Sequence, residues 1–72
     1  MRKAGEQVSN SVSLYRKEAG VTQEEFAKAV EVSRQTVISI EKGNYVPSVL
    51  LALKIASFFG KNVEDIFVIE KK

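Results

Sequence analysis

The side chains best suited to specific chemistry in this sequence lie in the segment SRQTVISIEKG, residues 33–43. Arg34 and Gln35 near its start carry several hydrogen-bonding groups on planar heads. Such heads match the edges of bases, because arginine pairs with O6 and N7 of guanine and glutamine with N6 and N7 of adenine. The segment therefore indicates contact with nucleic acid, provided that a helix presents these positions outward: Arg34, Gln35, Thr36, Ile38 and Ser39.

Catalytic and metal-binding chemistry has few candidates here. The chain contains no histidine and no cysteine, so the commonest general base, the commonest metal ligand and every thiolate are missing. Glu24 and Glu25 are adjacent acids, but their position at a helix start gives them a sufficient structural role. We therefore expect no enzymatic activity, no metal site and no cofactor.

The length of 72 residues predicts one domain. A domain of this size buries only about 60% of the surface of its unfolded chain, so tight helix packing or self-association is needed to stabilise it. The formal net charge of +2 permits nucleic-acid binding without requiring it. No apolar run approaches the roughly 18 residues of a membrane span, and no apolar signal segment follows Arg2 and Lys3, so we expect a cytoplasmic protein.

Apolar spacing and capping residues predict the elements that position residues 33–43. In a first helix, residues 10–19, Val12, Tyr15 and Ala19 recur at helical intervals before Gly20. A second helix begins with the capping-box sequence TQEE, and a third, roughly residues 34–42, begins after Ser33 and ends at Gly43. Apolar residues occupy the inward positions of this helix pair: Phe26, Ala27, Val30, Val32, Val37 and Ile40.

The second and third predicted helices are joined by a very short turn, so they must cross steeply. This is the geometry of helix-turn-helix DNA readers, although the spacing alone fits a plain helical hairpin equally well. The small Ala27 lies where the two helices approach closest. The outward residues of the third helix include no acid and many hydrogen-bonding groups, which is unusual for a surface without a binding function. Both observations favour a DNA-binding helix-turn-helix over a plain helical hairpin.

A fourth predicted helix covers Val49–Phe59, and a short fifth helix runs from the cap Asn62 to about Phe67. On a helical wheel, the fourth helix places one apolar set on a single face, namely Val49, Ala52, Leu53, Ala56 and Phe59. No segment alternates as a strand does, so the predicted fold class is all-α, a compact five-helix bundle. Residues 1–9 are expected to form a mobile N-terminal arm, residues 10–67 the helix-turn-helix domain, and residues 68–72 a short C-terminal tail.

The segment VTQEEFAKAVEVSRQTVISIEKGNYVPS resembles the lambda-repressor-like helix-turn-helix family of phage repressors, Cro proteins and small bacterial and archaeal regulators, the Cro/C1-type or XRE-like proteins. The resemblance covers about residues 10–67. It implies a five-helix bundle that binds double-stranded operator DNA, normally as a two-fold dimer.

The resemblance also implies roles for individual residues. Arg34 and Gln35 match base-reading positions, Thr36 and Ser39 match further groove-facing positions, and Ile38 contacts a thymine methyl or is covered by a partner. Four residues match contacts to the DNA backbone: Gln23, Lys42, Asn44 and Arg16.

Two further positions concern the structure more than the DNA. Arg16 and Glu41 match a family pair that ties the first helix to the end of the third, because a partly buried guanidinium needs a carboxylate partner. Glu31 departs from the pattern, since the family often has glycine there. If Glu31 must adopt left-handed geometry, it costs on the order of 1 kcal/mol and places a negative charge near the DNA side.

Apolar residues outside the predicted core indicate a homodimer interface, for which the candidates are Leu50, Phe58, Phe67, Val68 and Ile69. In the competing interpretation, Leu51 or Phe58 packs under the fifth helix and the tail. Ile69 could also pair as a short strand across the dimer. The leading function is a repressor that occupies a palindromic operator; the alternative is a DNA-binding antitoxin or interaction module whose main partner is another protein.

Overall fold

The computed structural model describes residues 6–71, with side chains from residue 7 to residue 70. This part of the chain contains five helices and two strands. In chain order the elements are β1 (Glu6–Asn10), α1 (Val12–Glu18), α2 (Gln23–Ala29), α3 (Arg34–Glu41), α4 (Val49–Phe59), α5 (Val63–Ile66) and β2 (Phe67–Lys71).

The five predicted helices are confirmed, with ends shifted by one or two residues. Thr22 caps α2 in a full capping box: its Oγ1 accepts from the Glu25 amide at 3.0 Å, and Glu25 accepts from the Thr22 amide at 2.8 Å. Ser33 and Ser48 cap α3 and α4 through their hydroxyls. Ala19, expected on the buried face of the first helix, is exposed because it lies beyond the last turn of α1.

The terminal segments correct the expected fold class, because β1 and β2 pair as a small antiparallel sheet. Residues 6–9 lie in β1 rather than in an arm, and residues 68–71 lie in β2 rather than in a free tail; residues 1–5 and 72 are outside the described part. Ile69 pairs with Val8 of the same chain. Local sequence patterns missed this pairing because the strands lie at opposite ends of the chain and neither alternates in polarity.

The hydrophobic core lies where α1, α2, α3, α4 and α5 meet. Every inward residue predicted for the second and third helices is buried except Val32, which is half-buried. Among residues 7–70 no polar or charged residue is buried. The buried set consists of Val12, Phe26, Ala27, Val30, Val37, Ile40, Leu51, Ile55, Ala56 and Ile66.

Helix α4 is rotated relative to the predicted face. Leu51, Ile55 and Ala56 point into the core, whereas Val49 and Leu53, both members of the predicted apolar face, are exposed. Almost every position of this helix is apolar, so its sequence pattern does not define which side faces the core. Helix α4 therefore presents an exposed apolar surface.

Candidate nucleic-acid interface

Helices α2 and α3 form a helix-turn-helix, and a hydrogen-bonded turn fixes their crossing. The amide of Val32 donates to the carbonyl of Ala27 at 2.9 Å, and the amide of Glu31 donates to the carbonyl of Lys28 at 3.2 Å. This pair of bonds is a Schellman motif, which needs a left-handed residue just after the helix. Glu31 has that conformation, with φ of 66°. Among the residues that the structure describes, it is the only non-glycine residue with positive φ.

Glu31 is further held by the side chain of Lys54 on α4. The Lys54 Nζ atom lies 2.7 Å from Glu31 Oε1. This hydrogen bond, together with the positive charge of Lys54, lowers the pKa of the Glu31 carboxyl below its ordinary value. The turn therefore has an ion pair to α4, and the negative charge of Glu31 that was expected near the DNA side is partly neutralised.

The outward face of α3 carries most of the predicted base-reading residues. Val37 and Ile40 are buried, so the opposite side of the helix, at 100° per residue, centres on Gln35 and also includes Ile38 and Ser39. Arg34 flanks this face at the first turn. Arg34 and Gln35 are exposed, and Ile38 and Ser39 are half-buried.

Thr36 is placed differently from the other predicted contacts. Its backbone amide donates to Ser33 Oγ at 3.1 Å, and its hydroxyl lies 3.0 Å from the same oxygen. Thr36 also lines a groove of about 290 Å³ beside Leu50 and Lys54 of α4, away from the centre of the outward face. Its hydroxyl is therefore partly engaged in capping its own helix.

A shallow cavity of about 380 Å³ lies between the start of α2 and the start of α3. It brings together three of the residues expected to contact DNA, Arg16, Gln23 and Arg34, with Thr22 and Glu24 completing its wall. The exposed guanidinium of Arg34 and the start of α2 can donate to an anion such as a phosphate. The Arg16 guanidinium is paired with Glu41, and Glu24 adds a negative charge to the wall.

The expected pair between Arg16 and Glu41 is confirmed. Arg16 Nε donates to Glu41 Oε2 at 2.6 Å and Nη2 donates to Oε1 at 3.2 Å, while Nη1 donates to the carbonyl of Val21 at 2.9 Å. Gln23 Nε2 also donates to Glu41 Oε1 at 3.0 Å, a contact that the sequence did not reveal. Glu41 thus joins α1 and α2 to the last turn of α3.

The end of α3 is closed by a second Schellman motif. Gly43, with φ of 81°, donates to the carbonyl of Ile40 at 2.9 Å, and the Asn44 amide donates to the carbonyl of Ser39 at 2.9 Å. Lys42 and Asn44, the predicted backbone contacts, are both exposed there. Asn10 also donates to the carbonyl of Ile40 at 2.9 Å, a contact that the sequence did not predict.

The five residues predicted for the dimer interface differ in how far they are exposed. Leu50, Val68 and Ile69 are exposed, whereas Phe67 is half-buried against the core. The ring of Phe58 packs edge-on against Phe26 and Phe59, with centroids 5.2 Å apart in both cases, and remains 39% exposed. Leu51 is buried in the core and lines the groove beside the α2–α3 turn.

The described residues contain no group of three or more acidic side chains placed to hold a metal ion. Within the same part of the chain, none of the helices combines the length and the apolar character that crossing a membrane requires.

A model of the family described as Helix-turn-helix matches residues 12–66, the span from α1 to α5. The chain belongs to the helix-turn-helix family. The chain is 54% identical over 63 residues to an uncharacterized HTH-type transcriptional regulator of Methanocaldococcus jannaschii, covering 88% of this chain and 96% of that one. It is 48% identical over 65 residues to the HTH-type transcriptional regulator YgzD of Bacillus subtilis, covering 90% and 98% of the two chains.

Solved structures share the fold of the regulator. The SOS-response transcriptional repressor LexA of Eubacterium rectale superimposes with a TM-score of 0.73 at 31% identity, over 76% of this chain and 58% of that chain. The transcriptional regulator VanUg matches with a TM-score of 0.77 over 100% of this chain and 96% of its own, and its 22% identity makes this a likeness of fold. The family and its relatives make this protein a DNA-binding helix-turn-helix transcriptional regulator.

Proposed function

We propose that the regulator is a repressor that binds a palindromic operator as a homodimer, with α3 in the major groove of each half-site. The observation that carries this proposal is the outward face of α3. Gln35 stands at its centre and Arg34 at its edge, both exposed, while Val37 and Ile40 anchor the helix in the core. Exposed arginine and glutamine heads on a rigid helix can read bases directly.

Each base-reading residue has a distinct role in the proposal. Arg34 donates to O6 and N7 of guanine, and Gln35 pairs with N6 and N7 of adenine. Ile38 contacts a thymine methyl, and Ser39 donates to a base edge beside it. Thr36 makes a weaker contact at the edge of the major groove, because its hydroxyl also interacts with Ser33.

Backbone contacts position the regulator on either side of this face. Gln23 and Arg16, in the cavity at the start of α2, contact one phosphate of the DNA backbone. Gln23 Nε2 has two hydrogens: one is donated to Glu41, and the other is available to the phosphate. Lys42 and Asn44 contact the backbone beyond the opposite end of α3. Such contacts weaken as salt rises and carry no sequence information.

The exposed side of α4 supports the homodimer. Val49, Leu50 and Leu53 are 76%, 65% and 55% exposed and share one side of α4, and Val46, just before the helix, is 60% exposed. These four residues are here called the α4 stripe. Contiguous exposed apolar patches mark interaction surfaces. A second copy covering this stripe gives the two-fold symmetry that a palindrome needs.

Repression follows from occupancy, because a dimer bound across an operator excludes polymerase from the same DNA. The test is selection from a random duplex pool at about 0.15 M salt, together with sedimentation of the protein alone. We expect an inverted repeat with half-site centres about 34 Å apart and a dimeric species. Recovery of salt-sensitive background without a repeat, from a monomer, would contradict the proposal.

A further inference from the structure

Asn10 and Ser11, at the end of β1, join the sheet to three helices. Asn10 Nδ2 donates to the carbonyl of Ile40 in α3 at 2.9 Å, and Asn10 Oδ1 accepts from the amide of Val12 at the start of α1 at 3.0 Å. One residue further, the amide of Ser11 donates to the carbonyl of Ile66 in α5 at 2.9 Å. The end of β1 is therefore hydrogen-bonded to α1, α3 and α5 within two residues.

The carbonyl that Asn10 contacts lies in the last turn of α3, where carbonyls lack intrahelical partners. Gly43 already donates to the Ile40 carbonyl as part of the Schellman motif. Asn10 adds a second donor to the same oxygen, from a partly buried side chain. The bond thus ties the end of α3 to the junction of β1 and α1, partly shielded from water.

The next residue along α3 provides a different attachment. Glu41 accepts hydrogen bonds from Arg16 of α1 and Gln23 of α2, whereas the neighbouring Ile40 carbonyl is bonded by Asn10 of β1. The turn to α2 and the buried side chains of Val37 and Ile40 hold the start and the inner face of α3. The Glu41 and Asn10 attachments hold its last turn, and the Asn10 bond connects that turn to the sheet.

We propose that Asn10 is a positioning residue that sets the orientation in which α3 meets the bases, acting through the carbonyl of Ile40. The inference rests on the proposed function of α3 in base reading. It assigns the β1–β2 sheet a role in sequence discrimination, although the strands carry none of the proposed DNA contacts. Because Asn10 acts on the orientation of the whole helix, its loss lowers discrimination at several base positions at once.

The test compares Asn10→Ala, which removes both side-chain bonds, with Asn10→Asp, which keeps the acceptor for Val12 and loses the donor to Ile40. Ile66→Val is the matched control, because it trims a buried side chain of α5 and lowers stability without altering the α3 attachment. All measurements are made well below the unfolding temperature. The readout is the ratio of affinities for the selected duplex and a scrambled duplex, since the negative charge that Asn10→Asp adds weakens binding to both duplexes equally.

We expect both Asn10 variants to lower this ratio at least about fivefold, the lower end of the discrimination from one bidentate base contact. The control keeps the wild-type ratio. In the free protein, amide residual dipolar couplings of α3 should shift relative to those of α2 in the Asn10 variants alone. These results together support the inference.

Other outcomes overturn it in distinguishable ways. A wild-type protein that selects no sequence contradicts the proposed function, and the inference fails with it. A selective wild type whose Asn10 variants lose no more discrimination than the control contradicts the inference alone. If the Asn10 variants lose discrimination while the dipolar couplings of α3 stay unchanged, the inference is also contradicted, because Asn10 would then act without reorienting the helix.

Discussion

The guanidinium of Arg16 and the carboxylate of Glu41 form a two-point ion pair, with Nε 2.6 Å from Oε2 and Nη2 3.2 Å from Oε1. Their side chains are only 11% and 7% exposed. The pair joins α1 to the last turn of α3, and Gln23 brings α2 to the same carboxylate. Helix α3 is therefore held by a nearly buried carboxylate that accepts from three donors.

Replacing this carboxylate should destabilise the fold strongly. Glu41→Gln leaves the Arg16 guanidinium without a counter-charge in a nearly buried site, and we expect a loss of about 3 kcal/mol in the free energy of unfolding. Urea titration followed by circular dichroism measures it. Glu18→Gln, at an exposed position, is the control and should change stability by no more than about 0.5 kcal/mol. A Glu41→Gln variant as stable as this control would show that the pair contributes little.

Replacing Glu31 by glycine should have the opposite effect on stability. The equivalent position after α1 is Gly20, with φ of 74°, and after α3 it is Gly43, whereas Glu31 adopts φ of 66° with a side chain. We expect Glu31→Gly to raise the free energy of unfolding by about 1 kcal/mol, because relief of left-handed strain outweighs an exposed ion pair. The measurement is again urea titration. Glu31→Ala loses the same ion pair but keeps the strain, so a stabilised alanine variant would contradict this explanation.

The ion pair of Glu31 also predicts a pH dependence. Its pKa is lowered in the folded protein by the hydrogen bond and charge of Lys54, so the pair stabilises the fold above the ordinary glutamate pKa of about 4.3. This contribution disappears as the pH falls through the lowered pKa. Wild type should therefore lose more stability than Glu31→Gln between about pH 5 and pH 3. Parallel stability curves for the two proteins over this range would contradict the assignment.

The sequence predicted the helices because capping signals and helical spacing are local. The pair of Arg16 and Glu41 lies 25 residues apart, and it was implied by the family resemblance rather than by local spacing. It missed the β1–β2 sheet, since the pairing of Val8 with Ile69 depends on two ends of the chain meeting. It also misplaced Val49 and Leu53, because nearly every position of α4 is apolar. The two polar residues, Lys54 and Ser57, lie on the exposed side but are outnumbered by apolar neighbours. Asn10 was missed for a related reason: its partner, the carbonyl of Ile40, belongs to the backbone and leaves no sequence signal.

Gln35 and Lys42 should respond differently to substitution. Gln35→Ala removes a proposed base contact, and we expect it to cost about 1–3 kcal/mol at one half-site position while other positions keep their preference. Lys42→Ala removes a proposed phosphate contact, so it should weaken all duplexes similarly and reduce the salt slope by about one. Binding measured across salt concentrations on single-base variants of the selected duplex separates the two. Equal losses on every duplex from Gln35→Ala would exclude it from base reading.

The α4 stripe should be required for dimerisation and, through it, for operator binding. Leu53→Glu places a charge within the stripe, whereas Leu14→Glu places the same charge on α1 at an equal exposure of 55%. We expect Leu53→Glu to sediment as a monomer and to bind a full palindrome no more tightly than one half-site, because an unpaired charge buried in an apolar interface is costly. Leu14→Glu should remain dimeric and should control for the effect of added negative charge on DNA affinity. A dimeric Leu53→Glu variant with full operator affinity would place the interface elsewhere, with the exposed strand residues Val68 and Ile69 as the next surface to alter.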